Sequence, residues 1–269
     1  MPPRPLTAPT KRAIRLAPVR PNIGAEIAYQ AKIDRLIAAM NRDVLRQVRA
    51  TWSEKPPELA QDASPASMLR ATMARLAQKW TQRFAEFAES IGGAFGRQTV
   101  KLTDRAFTAA LRKAGFTVKF RMTSTMNDVM QATIGEQVGL IRSIPAEYLA
   151  DVQGAVMRSV QTGRDLATLT SEIEAKYGIT RRRAALIARD QNNKATASMT
   201  RVRQQEIGIT EALWMHSAGG RVPRPSHVAN NRKRFSVSEG WYDPDEKKRI
   251  WPGELINCRC VSGGIVPGI

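Results

Sequence analysis

Residues 65–91 read PASMLRATMARLAQKWTQRFAEFAESI, and this stretch decides the fold class. Its large apolar side chains recur every three or four residues: Leu69, Met73, Leu76, Trp80, Phe84, Phe87 and Ile91. Such spacing puts them on one stripe of an α-helix, close to the heptad seam of helices that pack lengthwise. The stretch predicts a long helix whose aromatic residues lie in a core rather than on a base-stacking surface.

Helical spacing continues on both sides of this stretch. Before it, apolar positions from Ile23 predict a long helix that closes near Trp52: Ile23, Ile27, Ile33, Leu36, Ile37, Met40, Val44 and Val48. After it, Gly92-Gly93 and Gly96 predict a break. Further helices are predicted over residues 101–114, over 126–141, from Ser143-Ile144-Pro145 to Gly163, from Asp165 to Gly178, and from Thr180 to Ile207. Residues 117–122 alternate apolar and basic side chains, which indicates a short strand or an extended link.

The pattern changes after Glu211, where turn dipeptides replace helical stripes. We therefore predict a mainly α protein, with long packed helices in its N-terminal and central parts and a small C-terminal α+β module of short strands and turns. The predicted organisation is an extended basic arm over 1–22, a helical domain with long antiparallel helices over 23–120, a further helical part over 121–210, and the module over 211–269.

Charge indicates the kind of partner. The chain has 269 residues and a formal net charge of +18, and the excess lies towards its two ends. Each phosphate that a protein neutralises needs a Lys or Arg, so this charge favours non-specific contact with double-stranded DNA, with an acidic protein partner or simple solubility as alternatives. The candidate DNA-binding residues are Arg4, Lys11, Arg12, Arg15 and Arg20 of the Pro-rich arm, together with Arg181, Arg182 and Arg183.

The three consecutive arginines strengthen this expectation because of where they fall. Thr180 predicts a helix start immediately before them. Positive charge at a helix N-terminus opposes the helix dipole unless an anion neutralises it. The placement predicts a contact with nucleic acid or an acidic partner, unless the arginines form an ordinary solvated face.

The only two cysteines, Cys258 and Cys260, lie two residues apart near the end of the chain. In an extended strand they would point to the same side with Arg259 facing away, and His227 could approach as a third ligand. Either His216 or Asp243 could complete a tetrahedral zinc site. The alternatives are two small buried hydrophobic residues beside a hydrogen-bonded histidine, a Cys–His nucleophile pair, or a metal-activated water. We predict no cofactor, with zinc as the alternative.

Membrane insertion is not expected. No window of the chain has the roughly 18 consecutive apolar residues that a membrane span needs, and the N-terminus lacks the apolar core of a signal peptide. Two cysteines this close do not form an unstrained disulfide with each other. The sequence predicts a protein made in the cytoplasm.

Motifs in the second half of the chain resemble the phage Mu F-like head morphogenesis proteins, the minor capsid proteins of tailed phages. The resemblance covers about residues 125–262 and rests on the order and spacing of several short motifs. They include Ser143-Ile144-Pro145, Gly163-Arg164-Asp165-Leu166, Arg182-Arg183-Ala184, Ile187-Ala188-Arg189-Asp190-Gln191 with Lys194, Arg203-Gln204-Gln205-Glu206-Ile207-Gly208, Trp214, Arg221 to His227, Pro252-Gly253-Glu254 and Asn257-Cys258-Arg259-Cys260.

The resemblance implies a minor head protein of the virion, present in few copies inside the capsid near the portal. It implies the portal protein and the major capsid or scaffold protein as partners, and a role in procapsid assembly and in genome packaging or delivery. We predict no enzyme activity and no catalytic residues. A structural role is expected for the motif residues Asp190, Gln191, Lys194, Trp214, Pro252, Gly253, Asn257 and Arg259.

The chain departs from the family pattern at one point. The family commonly has an acidic residue shortly before its Arg-Val-Arg-x-Ser-His run, whereas this chain has Ala218-Gly219-Gly220 there and Pro223 inside the run. A catalytic or metal-binding use of that acid would therefore be absent. The alternative function, a metal-dependent nuclease or modifying enzyme, would depend on His227, Cys258 and Cys260.

Overall fold

Four long helices form most of the chain in the computed structural model, which describes residues 13–54, 65–162, 165–220 and 222–267. They are α1 (Ile23–Glu54), α2 (Pro65–Lys113), α3 (Ser124–Thr162) and α4 (Leu166–Glu206). None of the described helices combines the length and apolar character that a membrane crossing requires. The fold-class prediction is confirmed: long helices in the N-terminal and central parts precede a small C-terminal module of short strands.

Six short strands and one short helix complete the fold. A strand near the start of the described chain is β1 (Ile14–Arg15), and after α4 come β2 (Glu211–Met215), α5 (Pro225–Ala229), β3 (Arg234–Ser236), β4 (Trp241–Asp243), β5 (Lys248–Ile250) and β6 (Val261–Val266). Four strands form an antiparallel sheet in the order β1-β6-β2-β3, and β4 pairs with β5 separately. Because Trp214 lies opposite Ser262 in the β2–β6 register, the chain segment before β6 is brought beside β2.

The apolar stripes of α1 and α2 are buried as predicted, apart from the first turns of α1 and the half-buried Leu36 and Phe87. Ile33, Ile37, Met40, Val44 and Val48 are buried on α1, and Leu69, Met73, Leu76, Trp80, Phe84 and Ile91 on α2. Ile23 and Ile27 are 69% and 60% exposed, so assigning them to the inward stripe was wrong. The helix begins with Asn22 as its cap, since the Ala25 amide donates to Asn22 Oδ1 at 2.8 Å.

The predicted break at Gly92-Gly93 and Gly96 is wrong, because α2 runs through all three glycines. At Gly96 the missing side chain admits a neighbour: a Cβ there would come within 2.8 Å of Ile134 Cγ1. The glycine therefore serves close helix packing rather than helix termination. Residues 117–122, predicted as a strand or an extended link, form an extended link without strand pairing.

The two helix boundaries predicted around Pro145 and Gly178 are also wrong. Pro145 lies inside α3, where the buried neighbours Ile141, Ile144 and Tyr148 keep the helix packed across it. Gly178 and Thr180 lie inside α4, and Thr180 Oγ1 donates to the Lys176 carbonyl at 3.0 Å instead of capping a new helix. Burial of the flanking apolar residues outweighs these local stop signals.

The helix start predicted at Asp165 holds. Asp165 precedes α4, and its Oδ1 accepts a hydrogen bond from the Thr168 amide at 2.7 Å. This backbone contact to Thr168 is the largest of the effects that hold the pKa of Asp165 below its usual value. The residue is a helix cap, as predicted.

The chain divides into two compact units, and each is assembled from separated stretches. One unit comprises residues 1–26, 94–134 and 189–269, and the other comprises 27–93 and 135–188. All four long helices contribute residues to both units, α1 with only its first four residues in the first unit. The four consecutive domains predicted from the sequence stay a prediction.

Part of the predicted N-terminal arm belongs to the core of the first unit. Ile14 and Arg15 pair with Val266 and Ile265 of β6, and Leu16 and Val19 are buried. Residues 13–19 of the predicted extended arm thus pack against β6 and the core of the first unit. The remainder of that segment, residues 1–12, lies outside the described residues.

Candidate functional site

The two cysteines and His227 meet at one point in the first unit. Cys258 Sγ lies 3.5 Å from His227 Nδ1, and Cys260 Sγ lies 3.6 Å from the same nitrogen. These three ligand atoms lie within 4.8 Å of one another. The predicted convergence of the three residues is therefore present, and we call them the Cys–His cluster.

Local backbone geometry produces this meeting in a way that the sequence did not indicate. The cysteines precede β6 rather than lying within a strand, and Asn257, just before them, has a φ of 61°. His227 lies on α5, a short helix that Pro225 begins. Arg259 turns away from the sulfurs, as predicted, and its guanidinium donates to the Gly219 carbonyl.

His216 and Asp243 approach the cluster from different sides. His216 Nδ1 lies 3.7 Å from Cys260 Sγ. Asp243 Oδ2 lies 3.3 Å from His227 Nε2, the ring nitrogen that faces away from the sulfurs, and it accepts a hydrogen bond from Ser226 Oγ at 3.3 Å. Of the two predicted additional ligands, only His216 thus lies on the sulfur side, whereas Asp243 contacts the back of the His227 ring.

The cluster is closed to solvent. His227, Cys258 and Cys260 are only 2%, 3% and 4% exposed, and Asp243 is fully buried. Trp214 lies edge-on to the His227 ring at 4.9 Å between centroids, and Trp241 packs against Trp214 at 5.2 Å. A substrate of any size has no access to such a site, so the arrangement suits a structural role better than a catalytic one.

The two thiols differ in acidity because they interact with each other. A hydrogen bond from Cys260, followed by one from His227, lowers the pKa of Cys258 to about 4 even though burial acts in the opposite direction. The pKa of Cys260 is raised by its hydrogen bond to Cys258 and then by burial. The interaction therefore favours ionisation of Cys258 over ionisation of Cys260.

Motif residues on α4 attach the cysteine segment to that helix. Asp190 Oδ1 accepts a hydrogen bond from the Asn257 amide at 2.6 Å, and Lys194 pairs with Asp190 Oδ2 at 3.1 Å. Asn193 Nδ2 donates to the Cys258 carbonyl at 3.3 Å. Gln191, also on α4, is fully buried. The polar face of α4 therefore holds the backbone on both sides of Cys258.

The Pro252-Gly253 turn packs closely on the same helix. Gly253 has a φ of +88°, and a Cβ built on it would lie 2.7 Å from Ala197 Cβ. Pro252 is buried beside it. Trp251, which precedes Pro252, donates its indole N–H to the Val237 carbonyl at 2.9 Å. The Arg201 guanidinium lies 4.2 Å from the centroid of the Trp251 ring. The turn thus fixes the start of the segment that carries the cysteines.

The basic candidates are dispersed. Arg15 and Arg20 are exposed in the first unit. Arg181 lies 3.7 Å from Asp34, Arg183 pairs with Glu147 at 2.8 Å, and Arg182 is exposed, all within the second unit. Since these three arginines lie inside α4, the prediction that they occupy a helix N-terminus is wrong. Arg4, Lys11 and Arg12 lie outside the described residues, as do Gly163, Arg164 and Arg221 of the motifs.

The sequence did not indicate the buried contacts of two polar residues, Asn193 and Arg203. Asn193 holds the Cys258 carbonyl, and Arg203, whose side chain is 1% exposed, binds Asp104 through two hydrogen bonds of 2.7 and 2.9 Å and Glu206 through one of 2.6 Å. The three-residue spacing of Arg203 and Glu206 on a helix was the available signal. Nothing local pointed to Asp104, because it is 99 residues away in the chain.

Comparison with known proteins supports the resemblance. Residues 150–262 match the family described as Phage Mu protein F like protein, so the predicted resemblance is confirmed over that range. The chain is also 27% identical over 258 residues to an uncharacterized protein of Haemophilus influenzae, covering 93% of this chain and 55% of that protein. It thus spans about half the length of this curated relative. No solved structure matches significantly.

The matched range contains the structural features described above. It includes all of α4, with Asp190 and Asn193, together with His227, Cys258 and Cys260. It supports a phage head morphogenesis protein, which is a structural rather than an enzymatic class.

Proposed function

We propose that this chain is a minor capsid protein of a tailed phage, acting at the portal and inner capsid during procapsid assembly and genome packaging or delivery. The observation that carries the proposal is the family match over residues 150–262. Long packed helices, a basic surface and a site closed to substrates are consistent with a protein that binds other macromolecules. Its partners would be the portal protein, the major capsid or scaffold protein, and DNA.

The capsid role is tested in the phage that carries the gene. Disrupting the gene should leave head proteins synthesised but reduce the yield of DNA-filled heads, and the protein should co-sediment with heads in a gradient. Restoring the gene in trans is the control. Normal infectious particles that lack the protein would contradict a role in the head.

DNA contact is proposed from charge. The chain has a formal net charge of +18, and the first unit exposes Arg15, in β1, and Arg20, shortly after it. Arg181 and Arg183 already face the carboxylates of Asp34 and Glu147, so part of their charge is neutralised within the protein. Among the described candidates, the largest contributions to DNA binding are therefore expected from Arg15, Arg20 and Arg182.

Fluorescence anisotropy with a short DNA duplex of arbitrary sequence tests this contact. Affinity should fall steeply between about 50 and 200 mM salt, with little dependence on sequence. The variant R15Q/R20Q should bind more weakly and show a shallower salt dependence, whereas Arg70→Gln, which removes an exposed charge outside the candidate set, should have a smaller effect. Affinity that does not change with salt would contradict the DNA part of the proposal.

The enzymatic alternative, a metal-dependent nuclease or modifying enzyme, depends on the Cys–His cluster. The burial of all three side chains argues against it, because a scissile phosphate would have no path to the metal. Incubating supercoiled plasmid with protein, zinc and magnesium tests it. Cleavage that disappears in folded His227→Ala protein would favour the enzyme over the capsid protein.

A further inference from the structure

The spacing of the Cys–His cluster matches that of a tetrahedral zinc site. With zinc–sulfur bonds of about 2.3 Å and zinc–nitrogen bonds of about 2.05 Å, tetrahedral geometry puts a sulfur and a nitrogen about 3.6 Å apart. Three sulfur–nitrogen distances are close to this value: Cys258 to His227 at 3.5 Å, Cys260 to His227 at 3.6 Å and Cys260 to His216 at 3.7 Å.

Hydrogen bonding alone accounts poorly for this arrangement. A single imidazole nitrogen either accepts one proton or donates one, so His227 Nδ1 makes one hydrogen bond. Both sulfurs nevertheless approach it to within 3.6 Å. A cation at the shared centre satisfies all of these atoms at once, because each donates a lone pair to it.

We propose that His227 Nδ1, Cys258 Sγ, Cys260 Sγ and His216 Nδ1 bind a structural zinc ion. The proposal does not depend on the proposed capsid function. The first three atoms already lie within 4.8 Å of one another, and a rotation of the half-buried His216, whose Nδ1 lies 3.7 Å from Cys260 Sγ, would bring it in as the fourth ligand. Two thiolates and two imidazoles are the donor set that selects zinc over calcium or magnesium. Both sulfurs bind as thiolates, so any thiol proton still present is released on binding.

Asp243 supplies the second layer of such a site. Its carboxylate lies 3.3 Å from His227 Nε2 and is held by Ser226 Oγ and by the Asp245 amide at 3.0 Å. A carboxylate on the outer nitrogen of a metal-binding histidine directs the proton to that nitrogen and leaves the other free for the metal. Asp243 is thus a positioning residue that keeps Nδ1 unprotonated.

The ion would add a bond between three segments that the β2–β6 pairing and the Trp214–His227 contact already bring together. His216 follows β2, His227 lies on α5, and the cysteines precede β6. Closed tetrahedral sites with four protein ligands are structural, which agrees with the burial of His227 and both cysteines. The metal would therefore hold the C-terminal strands in place.

Elemental analysis of the full chain, purified under reducing conditions without chelator from zinc-supplemented cells, is the first test. About one zinc per chain is expected, and Cys258→Ser, Cys260→Ser and His227→Ala should each lose most of it. If these variants fail to fold, cobalt titration of the chelator-treated wild-type chain supplies the second test. Sulfur-to-cobalt charge-transfer bands with strong tetrahedral absorption support the site. Zinc-free protein that also gives no such bands overturns it.

Asp243→Asn tests the site without removing a ligand. Loss of the orienting carboxylate should raise the zinc dissociation constant about 10- to 100-fold, measured by competition with a chromophoric chelator. Asp245→Asn is the matched control, because Asp245 contacts Asp243 through its backbone and its own side chain is exposed. Equal zinc affinity in wild-type protein and Asp243→Asn would contradict the role of Asp243.

His216→Ala tests the fourth ligand. Weaker zinc binding, with a cobalt spectrum that shifts towards a water-containing coordination sphere, supports His216. Unchanged affinity and an unchanged spectrum overturn that assignment.

Discussion

Asp43 on α1 shows how a buried acid can organise a helix pair. Its side chain, 6% exposed, accepts hydrogen bonds from Trp80 Nε1 at 3.0 Å, from Lys79 at 2.6 Å and from Arg46 at 2.6 Å. Burial alone would raise the pKa of Asp43, but these three donors outweigh it and hold the pKa below its usual value. The bond to Trp80 matters most for stability, since Lys79 and Arg46 are largely exposed to screening solvent.

Replacing Asp43 should show how much its hydrogen bonds stabilise the protein and how that contribution depends on pH. We expect Asp43→Ala to lower the free energy of unfolding at pH 7 by about 2–3 kcal/mol, because the buried Trp80 N–H loses its acceptor. Asp43→Asn, which keeps an oxygen, should cost about 1 kcal/mol. Because the folded-state pKa is depressed, the advantage of the wild type over Asp43→Asn is present above about pH 4 and disappears as pH falls through the folded pKa. Urea unfolding at several pH values measures the difference in free energy of unfolding between the wild type and Asp43→Asn. A difference that does not change with pH would contradict this role of Asp43.

Among the described residues, Arg203 is the most buried Lys or Arg side chain. Its guanidinium binds Asp104 and Glu206, donates to the Arg121 carbonyl at 2.9 Å and lies 4.8 Å from the Phe120 ring centroid. It therefore connects α2 and α4 with the extended link that follows α2.

Removing this guanidinium should be costly. Arg203→Met would leave Asp104 and Glu206 without their buried partner, and we expect a loss of about 3 kcal/mol. Arg182→Met, on the same helix but exposed, should change stability by less than about 0.5 kcal/mol. Thermal unfolding monitored by circular dichroism compares the two variants. Equal effects would show that the Arg203 network adds nothing.

At the scale of elements, some glycines are required by the fold and others are only tolerated by it. Gly253 has a positive φ and close contact with Ala197, whereas Gly135 lies exposed within α3 with open space where a Cβ would be. The sequence alone does not distinguish these two glycines. Only its surroundings distinguish a required glycine from a tolerated one.

The same substitution should therefore have opposite effects at these positions. We expect Gly253→Ala to destabilise the protein by more than about 1 kcal/mol through backbone strain and collision with α4, and to loosen the cysteine segment. Gly135→Ala should stabilise it by about 0.5–1 kcal/mol through better helix propensity. Chemical denaturation provides both values. Destabilisation of similar size at both sites would contradict this distinction.

At the scale of the whole molecule, the C-terminal strands share a core with residues far away in the chain. The core around Trp214, Cys258 and Cys260 also contains Leu16, Val19, Phe107 and Leu111. β1 adds an edge strand to the same sheet, and the Leu16 amide donates to the Gly264 carbonyl at 2.9 Å. The family-matched range, 150–262, thus contains only part of each of the two units.

A fragment spanning residues 121–269 should consequently fail to fold on its own. It lacks β1, Phe107 and Leu111, so Trp214 and β6 would lose their apolar cover. We expect no cooperative thermal transition in circular dichroism, with or without added zinc. In the full chain, Phe107→Ala should cost about 3–5 kcal/mol by opening a cavity in the same core. A cooperatively melting fragment would contradict this dependence.

Much of the architecture could be read from apolar periodicity. The stripes of α1 and α2 and the change to short strands after Glu211 followed from residue type and spacing. The residue types also suggested that His227 meets both cysteines, although not the backbone turn that brings them together. These features depend on local rules: a stripe of 3.6-residue period seeks burial, and an extended pair at i and i+2 presents two side chains together.

Other features depended on contacts between distant residues. Helices continue through Gly96, Pro145 and Thr180 because packing on both sides outweighs a local stop signal, and no local pattern shows that packing. Residues 13–19 look like part of a polar arm until β6 provides a strand to pair with. Asp243 reaches the back of the His227 ring only through the fold of β4. Periodicity is local and appears in the sequence, whereas burial depends on which surfaces meet, and only the tertiary structure determines that.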